Sequence, residues 1–263
     1  MTAYPLALTD SATMLRRNLR RMRRYPSLTL FIAGAPVVFL LLFAYVFGGT
    51  LGAGLGQVSG GRTEYIAYVV PGILLITVAG AAQGTAISVA MDMHEGIIAR
   101  FRTMAIDRDS VLTGHVIGSV IQTMLAIAIV MVVALLIGFR STTGPIQWVA
   151  ATGLLALAAL AISWLSVALG MVPKSVETAS NLPMFLVLLP FLSSGFVPTR
   201  SMPDGLSWFA ENQPFTPLIE TVRGLLLGTP IGDSGPHAVG WCIALTVVGY
   251  LWARRLYDRD PVS

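Results

Sequence analysis

The chain has 263 residues, of which 55% are hydrophobic and only 11% are charged, with a formal net charge of +4. This composition provides too little polar surface to cover a water-soluble globule, so it indicates an integral membrane protein. The single cysteine excludes an intrachain disulfide, and the three histidines lack the spacing of a metal site. Nucleic-acid binding is not indicated, because the arginines flank apolar stretches and do not alternate with aromatic residues.

The first 27 residues are predicted to form a cytoplasmic tail with an amphipathic helix. Apolar side chains recur there at steps of three or four residues, which is the spacing of one helical face. Arginines occupy the other positions, and those expected to meet anionic lipid headgroups are Arg17, Arg20, Arg21 and Arg24. Such a helix lies in the membrane interface. The alternative is that these arginines serve only as an orientation signal.

Six stretches are apolar over about the 20 residues that an α-helix needs to cross a bilayer. They cover approximately residues 28–47, 65–91, 110–138, 147–171, 181–197 and 236–253. Basic residues collect before the first stretch, between the second and third, and after the sixth, and such residues stay cytoplasmic. The predicted fold is therefore an all-α polytopic membrane protein with six transmembrane helices and both termini in the cytoplasm. The transmembrane domain is expected to cover residues 28–257, followed by a short tail, 258–263.

The segment between the second and third stretches is predicted to form a short cytoplasmic helix. Ile97 and Phe101 lie one helical turn apart on its apolar face. Charged side chains that could contact a partner are Glu95, Arg100 and Arg102. The alternative is a solvated turn whose charges only orient the spans.

The region between the fifth and sixth stretches contains apolar pieces that are too short to cross a bilayer. They are separated by Pro198, Pro203, Pro214, Pro217 and Pro230. Because proline fits well only in the first turn of a helix, we expect short outer helices that dip into the membrane, between residues 198 and 230. Glu220 and Arg223 are three residues apart and are expected to neutralise each other. Backbone of this kind must pack on the spans or line an exit.

Charged side chains are nearly absent from the centres of the predicted spans, which favours a path for a bulky, largely apolar molecule. The polar candidates for lining this path are Gln83, Gln122 and Asn181. Each is also explained as a hydrogen-bonding contact between helices. Glycines four residues apart, at Gly80 and Gly84 and at Gly114 and Gly118, are expected to let helices approach closely, within one subunit or between two.

No residues for chemical catalysis are apparent in the chain. Its only lysine, Lys174, follows Pro173, so the Gly-Lys-Ser/Thr motif of a phosphate-binding loop is missing. His115, near a predicted span end, is interpreted as a packing or interfacial residue. We therefore expect a non-enzymatic membrane subunit, and any ATP would be bound and hydrolysed by another chain.

Several segments together resemble permeases of ABC-2 type exporters, especially the actinobacterial daunorubicin-resistance-type subfamily. The segments that carry the resemblance are Glu95 to Met104, Phe196-Val197-Pro198 with Met202-Pro203, Trp208 to Pro217, and Arg223-Gly224-Leu225. The resemblance extends over nearly the whole chain. One departure is Ala105, where many relatives have proline.

The resemblance implies that residues 93–105 form a coupling helix that docks into a separate ATP-binding cassette subunit. The residues expected to make this contact are Glu95, Gly96, Arg100, Phe101 and Arg102. Two permeases, expected to be copies of one chain, would combine with two ATPase subunits. ATP and magnesium would then bind to the partner, and this chain would carry no cofactor. The resemblance also implies an extracellular gate, to which we assign Phe196, Pro198, Glu211, Glu220 and Arg223.

These features predict a permease that exports a hydrophobic drug, antibiotic or lipid across a bacterial cell membrane. Three alternatives remain. An ATP-independent carrier or channel would transport without a partner ATPase, and a membrane scaffold would anchor the ATPase without transport. An exporter of polysaccharide or another polar substrate would need more aromatic and polar side chains along its path.

Overall fold

A computed structural model describes residues 26–50, 61–94, 108–173 and 175–258. The predicted interfacial helix with Arg17, Arg20, Arg21 and Arg24 lies outside these residues, as do Glu95, Gly96, Arg100, Phe101 and Arg102. The regular structure of the described residues is helical. In chain order the α-helices are α1 (Pro26–Leu42), α2 (Arg62–His94), α3 (Arg108–Leu136), α4 (Pro145–Met171), α5 (Val176–Asn181), α6 (Met184–Leu188), α7 (Asp204–Asn212), α8 (Phe215–Leu227) and α9 (Ser234–Asp258). α1 continues through a π-helical turn, Phe43–Phe47.

Five helical segments among the described residues are long and apolar enough to cross a membrane. They are Ile32–Thr50, Arg62–Met93, Leu112–Leu136, Pro145–Met171 and Ser234–Tyr257. These segments correspond to the first four predicted spans and to the sixth. The helical fold class and the membrane location of the chain are thereby confirmed.

The predicted fifth stretch, residues 181–197, is not one continuous helix. It contains the end of α5, then α6, and then a 3₁₀ turn, Leu189–Leu192. Pro183 and Pro190 explain the interruptions, because proline removes a backbone donor and clashes with the preceding turn inside a helix. The 17 residues of this stretch are therefore divided into pieces of one or two turns.

α2 and α4 form the centre of the bundle. In the most apolar part of each of these two helices, 83% and 78% of the residues are buried. The corresponding share is 22% to 28% in the other three long segments. Both helices are apolar around their whole circumference, as expected for helices surrounded by protein. Gly170 of α4 allows the close contact with α2, since a Cβ there would lie 2.5 Å from the carbonyl oxygen of Ala86. Gly249 of α9 similarly lies against the α4 backbone at Trp164 and Leu165.

The short helix α8 is inserted among the long helices and does not lie on the surface. It packs against α2, α4 and α9, and ten of its thirteen residues are buried. It ends at Gly228, whose φ of 71° is the left-handed conformation typical of a glycine after a helix. The preceding helix α7 is mostly exposed, and Trp208 is 69% exposed.

Candidate functional site

Arg223 of α8 is a buried cation with a full set of partners. Its Nη1 lies 2.7 Å from Oε1 of Glu220, in the ion pair expected from the spacing of the two residues. Its Nη2 donates to the carbonyls of Tyr68 and Ser194, at 3.1 Å and 2.8 Å. The guanidinium also lies 3.9 Å from the centroid of the Tyr68 ring. A carboxylate, two carbonyls and an aromatic face together compensate the lost hydration of this charge.

The carbonyl of Ser194 is the point where three parts of the chain meet. It accepts a hydrogen bond from the Tyr68 hydroxyl of α2, at 2.8 Å, in addition to the one from Arg223 of α8. The amide of Ser194 donates to the hydroxyl of Thr216, also on α8. The turn that follows the interrupted fifth stretch is therefore attached to both α2 and α8.

The backbone groups freed by the interruption are satisfied by side chains. Nε2 of Gln213 donates to the carbonyls of Leu189 and Leu192, at 2.9 Å and 3.1 Å. The hydroxyl of Ser193 donates to the carbonyl of Pro190. Non-helical backbone at membrane depth requires such compensation.

Two glycines allow this turn to lie directly against α2. A Cβ on Gly72 would be 2.9 Å from the Cα and the carbonyl oxygen of Gly195. By contrast, a Cβ on Gly80 would meet nothing within 4 Å, and one on Gly84 would reach only Ile32. The close approach expected at Gly80 and Gly84 is therefore found at Gly72 instead.

Among the predicted gate residues, Phe196, Glu220 and Arg223 lie around this turn. Phe196 is buried and stacks on Phe191, with ring centroids 5.1 Å apart and an interplanar angle of 11°. It also contacts Phe43 of the π-helical turn, with the ring centroids 4.6 Å apart. The turn is thus packed against the first span as well as the second.

The other two predicted gate residues lie on the exposed side of the region. Glu211 of α7 accepts hydrogen bonds from the hydroxyls of Thr199 and Ser207. Pro198 precedes the 3₁₀ turn Thr199–Ser201, and its carbonyl accepts from the hydroxyl and the amide of Ser201. These contacts organise α7 locally.

The three predicted path residues lie on three different helices. Gln83 is half-buried on α2, and Asn181 is exposed at the end of α5. Gln122 of α3 is half-buried, and its Nε2 lies 3.5 Å from the hydroxyl of Thr29 on α1. Gln122 therefore makes a contact between helices, which the sequence predicted as the alternative to lining the substrate path.

Two buried polar contacts between α2 and α3 were not predicted from the sequence. The hydroxyls of Thr85 and Ser119 lie 2.6 Å apart, and Ser163 of α4 donates to Ser119 at 2.9 Å. Nearer the helix ends, Nε2 of His115 lies 3.0 Å from Oδ2 of Asp92. These residues are separated by 23 to 44 positions in sequence, so periodicity within one helix carries no signal for the pairing. The interpretation of His115 as a packing residue missed its acidic partner.

An apolar groove of about 380 Å³ lies between α3 and α4. Its lining includes Met124, Met131, Trp148, Leu155 and Leu226. Trp148 donates its indole N–H to the hydroxyl of Ser141, at 3.1 Å. The volume and lining suit an apolar chain. Within the ranges that the structure describes, no group of three His, Cys, Asp or Glu side chains could hold a metal ion.

Comparison with known proteins decides the family. The sequence profile described as ABC-2 type transporter matches residues 10–227. The chain belongs to the ABC-2 type transporter family. The match extends from the predicted interfacial helix to the end of α8 and includes residues 95–107, so it confirms the resemblance seen in the sequence.

Related proteins include permeases named for drug resistance. The chain is 30% identical over 229 residues to the daunorubicin resistance ABC transporter permease protein DrrB1 of Streptomyces coeruleorubidus, covering 86% of this chain and 78% of that protein. It is 23% identical over 239 residues to the probable doxorubicin resistance ABC transporter permease protein DrrC of Mycobacterium tuberculosis, covering 90% and 84%. It is also 30% identical over 226 residues to nodulation protein J of Rhizobium leguminosarum bv. trifolii, covering 82% of each.

These findings identify this chain as a transmembrane permease subunit of an ATP-binding cassette exporter. Permeases of this family are membrane components, and the ATPase is a separate subunit. The five helices in the described part of the chain that are long and apolar enough to cross a membrane agree with that role.

Proposed function

We propose that this permease exports a hydrophobic drug, antibiotic or lipid from the cytoplasm or the inner leaflet of a bacterial cell membrane. The observation that carries the proposal is the family match over residues 10–227, combined with relatives whose names include daunorubicin and doxorubicin resistance. Energy comes from a separate ATP-binding cassette subunit, to which ATP and magnesium bind.

The walls of the bundle support an apolar substrate. α4 contains no charged residue along its 27 positions. The buried ionisable side chains on α2 and α8 include Asp92, which contacts His115, and Arg223, which forms an ion pair with Glu220. An apolar surface of this kind separates hydrophobic molecules poorly by size, so we expect several related compounds to be transported.

The proposed ATPase contact lies between α2 and α3. α2 continues to His94 and α3 begins at Arg108, so the first two residues of the predicted coupling segment, 93–105, belong to helix α2. The remaining residues, among them Glu95 and Arg100, offer charges to the partner. Movement of this segment during ATP binding and hydrolysis would rearrange the spans and release the substrate outward.

We further propose a topology of six crossings, with the interrupted α5–α6 segment as the fifth. An even number of crossings places the amino-terminal region, 1–27, and the tail, 258–263, on the same side of the membrane, and the basic residues near both ends favour the cytoplasmic side. The transmembrane domain then covers residues 28–257. Residues 198–230 lie on the outer side, where the buried position of α8 supports a re-entrant helix.

A second copy of the chain is proposed to cover the α1 and α5–α6 face. Exposed apolar side chains on this face include Val38, Val46, Phe185 and Leu188. A second copy packed on this face would bury these apolar side chains. A homodimer formed through this face would place the substrate path between the two copies.

Reconstitution with the native ATPase subunit tests the proposal. The complex in proteoliposomes should move daunorubicin or a fluorescent lipid only when ATP is present, and a complex with an ATPase unable to hydrolyse ATP should not. Equal flux without the ATPase subunit would favour the carrier or channel. Stimulation of hydrolysis by polysaccharides and not by apolar compounds would favour the polar-substrate exporter.

A further inference from the structure

A buried contact between Asp92 and His115 joins the two helix ends that flank residues 95–107. Asp92 lies two residues before the end of α2, and His115 lies seven residues after the start of α3. Nε2 of His115 lies 3.0 Å from Oδ2 of Asp92, and the side chains are only 7% and 9% exposed, respectively. The contact therefore joins two antiparallel helices close to the ends that residues 95–107 connect in the sequence.

The surroundings of the pair make this contact strong and directional. A separate cluster of buried apolar residues occupies the same end of the bundle, contributed by α2, α3, α4 and α9. Its members are Val89, Leu112, Val116, Trp164, Val167, Ala168, Met171, Ala253 and Tyr257. In such an environment a charge-assisted hydrogen bond is stronger than in water, and its geometry is restricted.

The hydroxyl contact between Thr85 and Ser119 provides a contrast on the same two helices. It lies seven residues from Asp92 along α2 and four residues from His115 along α3. It is neutral, and Ser163 of α4 also takes part. It therefore joins three helices in the body of the bundle, whereas the Asp92–His115 pair joins α2 to α3 near the segment 95–107.

We propose that Asp92 and His115 are positioning residues that make these ends of α2 and α3 move together when the ATPase subunit displaces residues 95–107. Apolar contacts between helices permit small sliding movements. A buried hydrogen-bonding contact to a carboxylate resists sliding because its distance and direction are constrained. Without it, displacement of the segment would be absorbed between the two helices and would reach the substrate path only in part. This inference rests on the proposed function.

Two double variants separate this role from a purely structural one. Asp92→Leu with His115→Leu removes both polar side chains of the contact, and replacement of a buried pair by apolar residues of similar volume is often well tolerated. Asp92→His with His115→Asp exchanges the two partners and restores the pair. The matched control is Thr85→Val, which removes a buried polar contact between the same helices.

The measurements are made on the complex with its ATPase subunit in proteoliposomes, with daunorubicin as the probe. We expect the leucine pair to assemble and to hydrolyse ATP. The amount of daunorubicin transported per ATP should fall by a factor of about five or more, which is the size of a typical coupling between sites. The exchanged pair should recover most of the loss, and Thr85→Val should keep the parent ratio of transport to hydrolysis.

Native transport per ATP in the leucine pair would overturn the inference, as would an exchanged pair that assembles without recovery. If neither double variant assembles with the ATPase, the pair is needed to build the bundle and its assignment to transmission is wrong. A parent complex with no ATP-dependent flux of any apolar probe would instead contradict the proposed function. The two failures are therefore distinguishable.

Discussion

The guanidinium of Arg223 stacks on the ring of Tyr68 and at the same time donates to the backbone carbonyl of that residue, 155 positions earlier in the chain. One side chain of α8 thereby fixes both the backbone and the side chain of α2. The same guanidinium binds Ser194, so the end of the interrupted fifth stretch is included in the contact.

Replacing Arg223 by methionine should destabilise the protein markedly. Methionine preserves packing volume but removes the hydrogen bonds from Arg223 to the carbonyls of Tyr68 and Ser194 and leaves Glu220 without its ion-pair partner. A hydrogen bond to a charged group contributes about 1.5–3 kcal/mol, so a loss of about 3 kcal/mol or more is expected. Thermal unfolding of the purified protein in detergent measures the change. Glu220→Gln is the control and should lose less, because Glu220 is partly exposed and glutamine retains an acceptor. An unchanged melting temperature for Arg223→Met would contradict this account.

Gly72→Ala should disturb the contact between α2 and the turn at Gly195. The added Cβ would come within 2.9 Å of backbone atoms, which cannot rotate away as a side chain can. Overpacking of this kind destabilises by about 1–3 kcal/mol. Gly80→Ala, on the same helix, has open space around its Cβ and should be neutral or slightly stabilising. Comparable melting temperatures for the two alanine variants would show that the turn can shift.

Removing the charges of Glu95 or Arg100 should impair the proposed ATPase contact without unfolding the bundle. Glu95→Ala and Arg100→Ala are each expected to lower the stimulation of ATP hydrolysis by substrate in the reconstituted complex. Asp204→Ala, which removes an exposed charge from α7, serves as the control. Substrate-stimulated hydrolysis in Glu95→Ala equal to that of the parent would argue against a coupling role.

Cysteine cross-linking tests the proposed dimer face. Cys242 is the only cysteine of the chain and is buried, so Cys242→Ala gives a background without thiols. In this background Leu188→Cys should yield a disulfide-linked dimer on mild oxidation of membranes. Val149→Cys is exposed on α4, away from the proposed face, and should remain monomeric. Efficient cross-linking through Val149→Cys, without cross-linking through Leu188→Cys, would place the second copy against α4 instead.

The sequence predicted the long spans well, because a run of about 20 apolar residues is a signal contained in one segment. The ion pair of Glu220 and Arg223 was predictable for the same reason, since residues three positions apart lie on the same side of a helix. Pro183 and Pro190 are present in the predicted fifth stretch, but the apolar character of this stretch as a whole favoured one continuous span.

Contacts between distant segments could not be derived in this way. Glycine spacing favoured Gly80 and Gly84, yet close approach depends on which neighbour faces each glycine, and the structure has that contact at Gly72. The partnership of Asp92 with His115 likewise depends on the register of α2 against α3. Hydrogen bonding of Tyr68 and Arg223 to one carbonyl requires three segments to be positioned at once.

The insertion of α8 among the spans has a consequence for how the protein is made. α9 packs against both α4 and α8 and follows α8 along the chain, so it leaves the ribosome after α8. Until it has entered the membrane, the buried apolar face of α8 lacks one of its neighbours. Chains that stop before Ser234 would therefore expose part of the apolar surface of α8. We expect membrane quality-control proteases to degrade such chains.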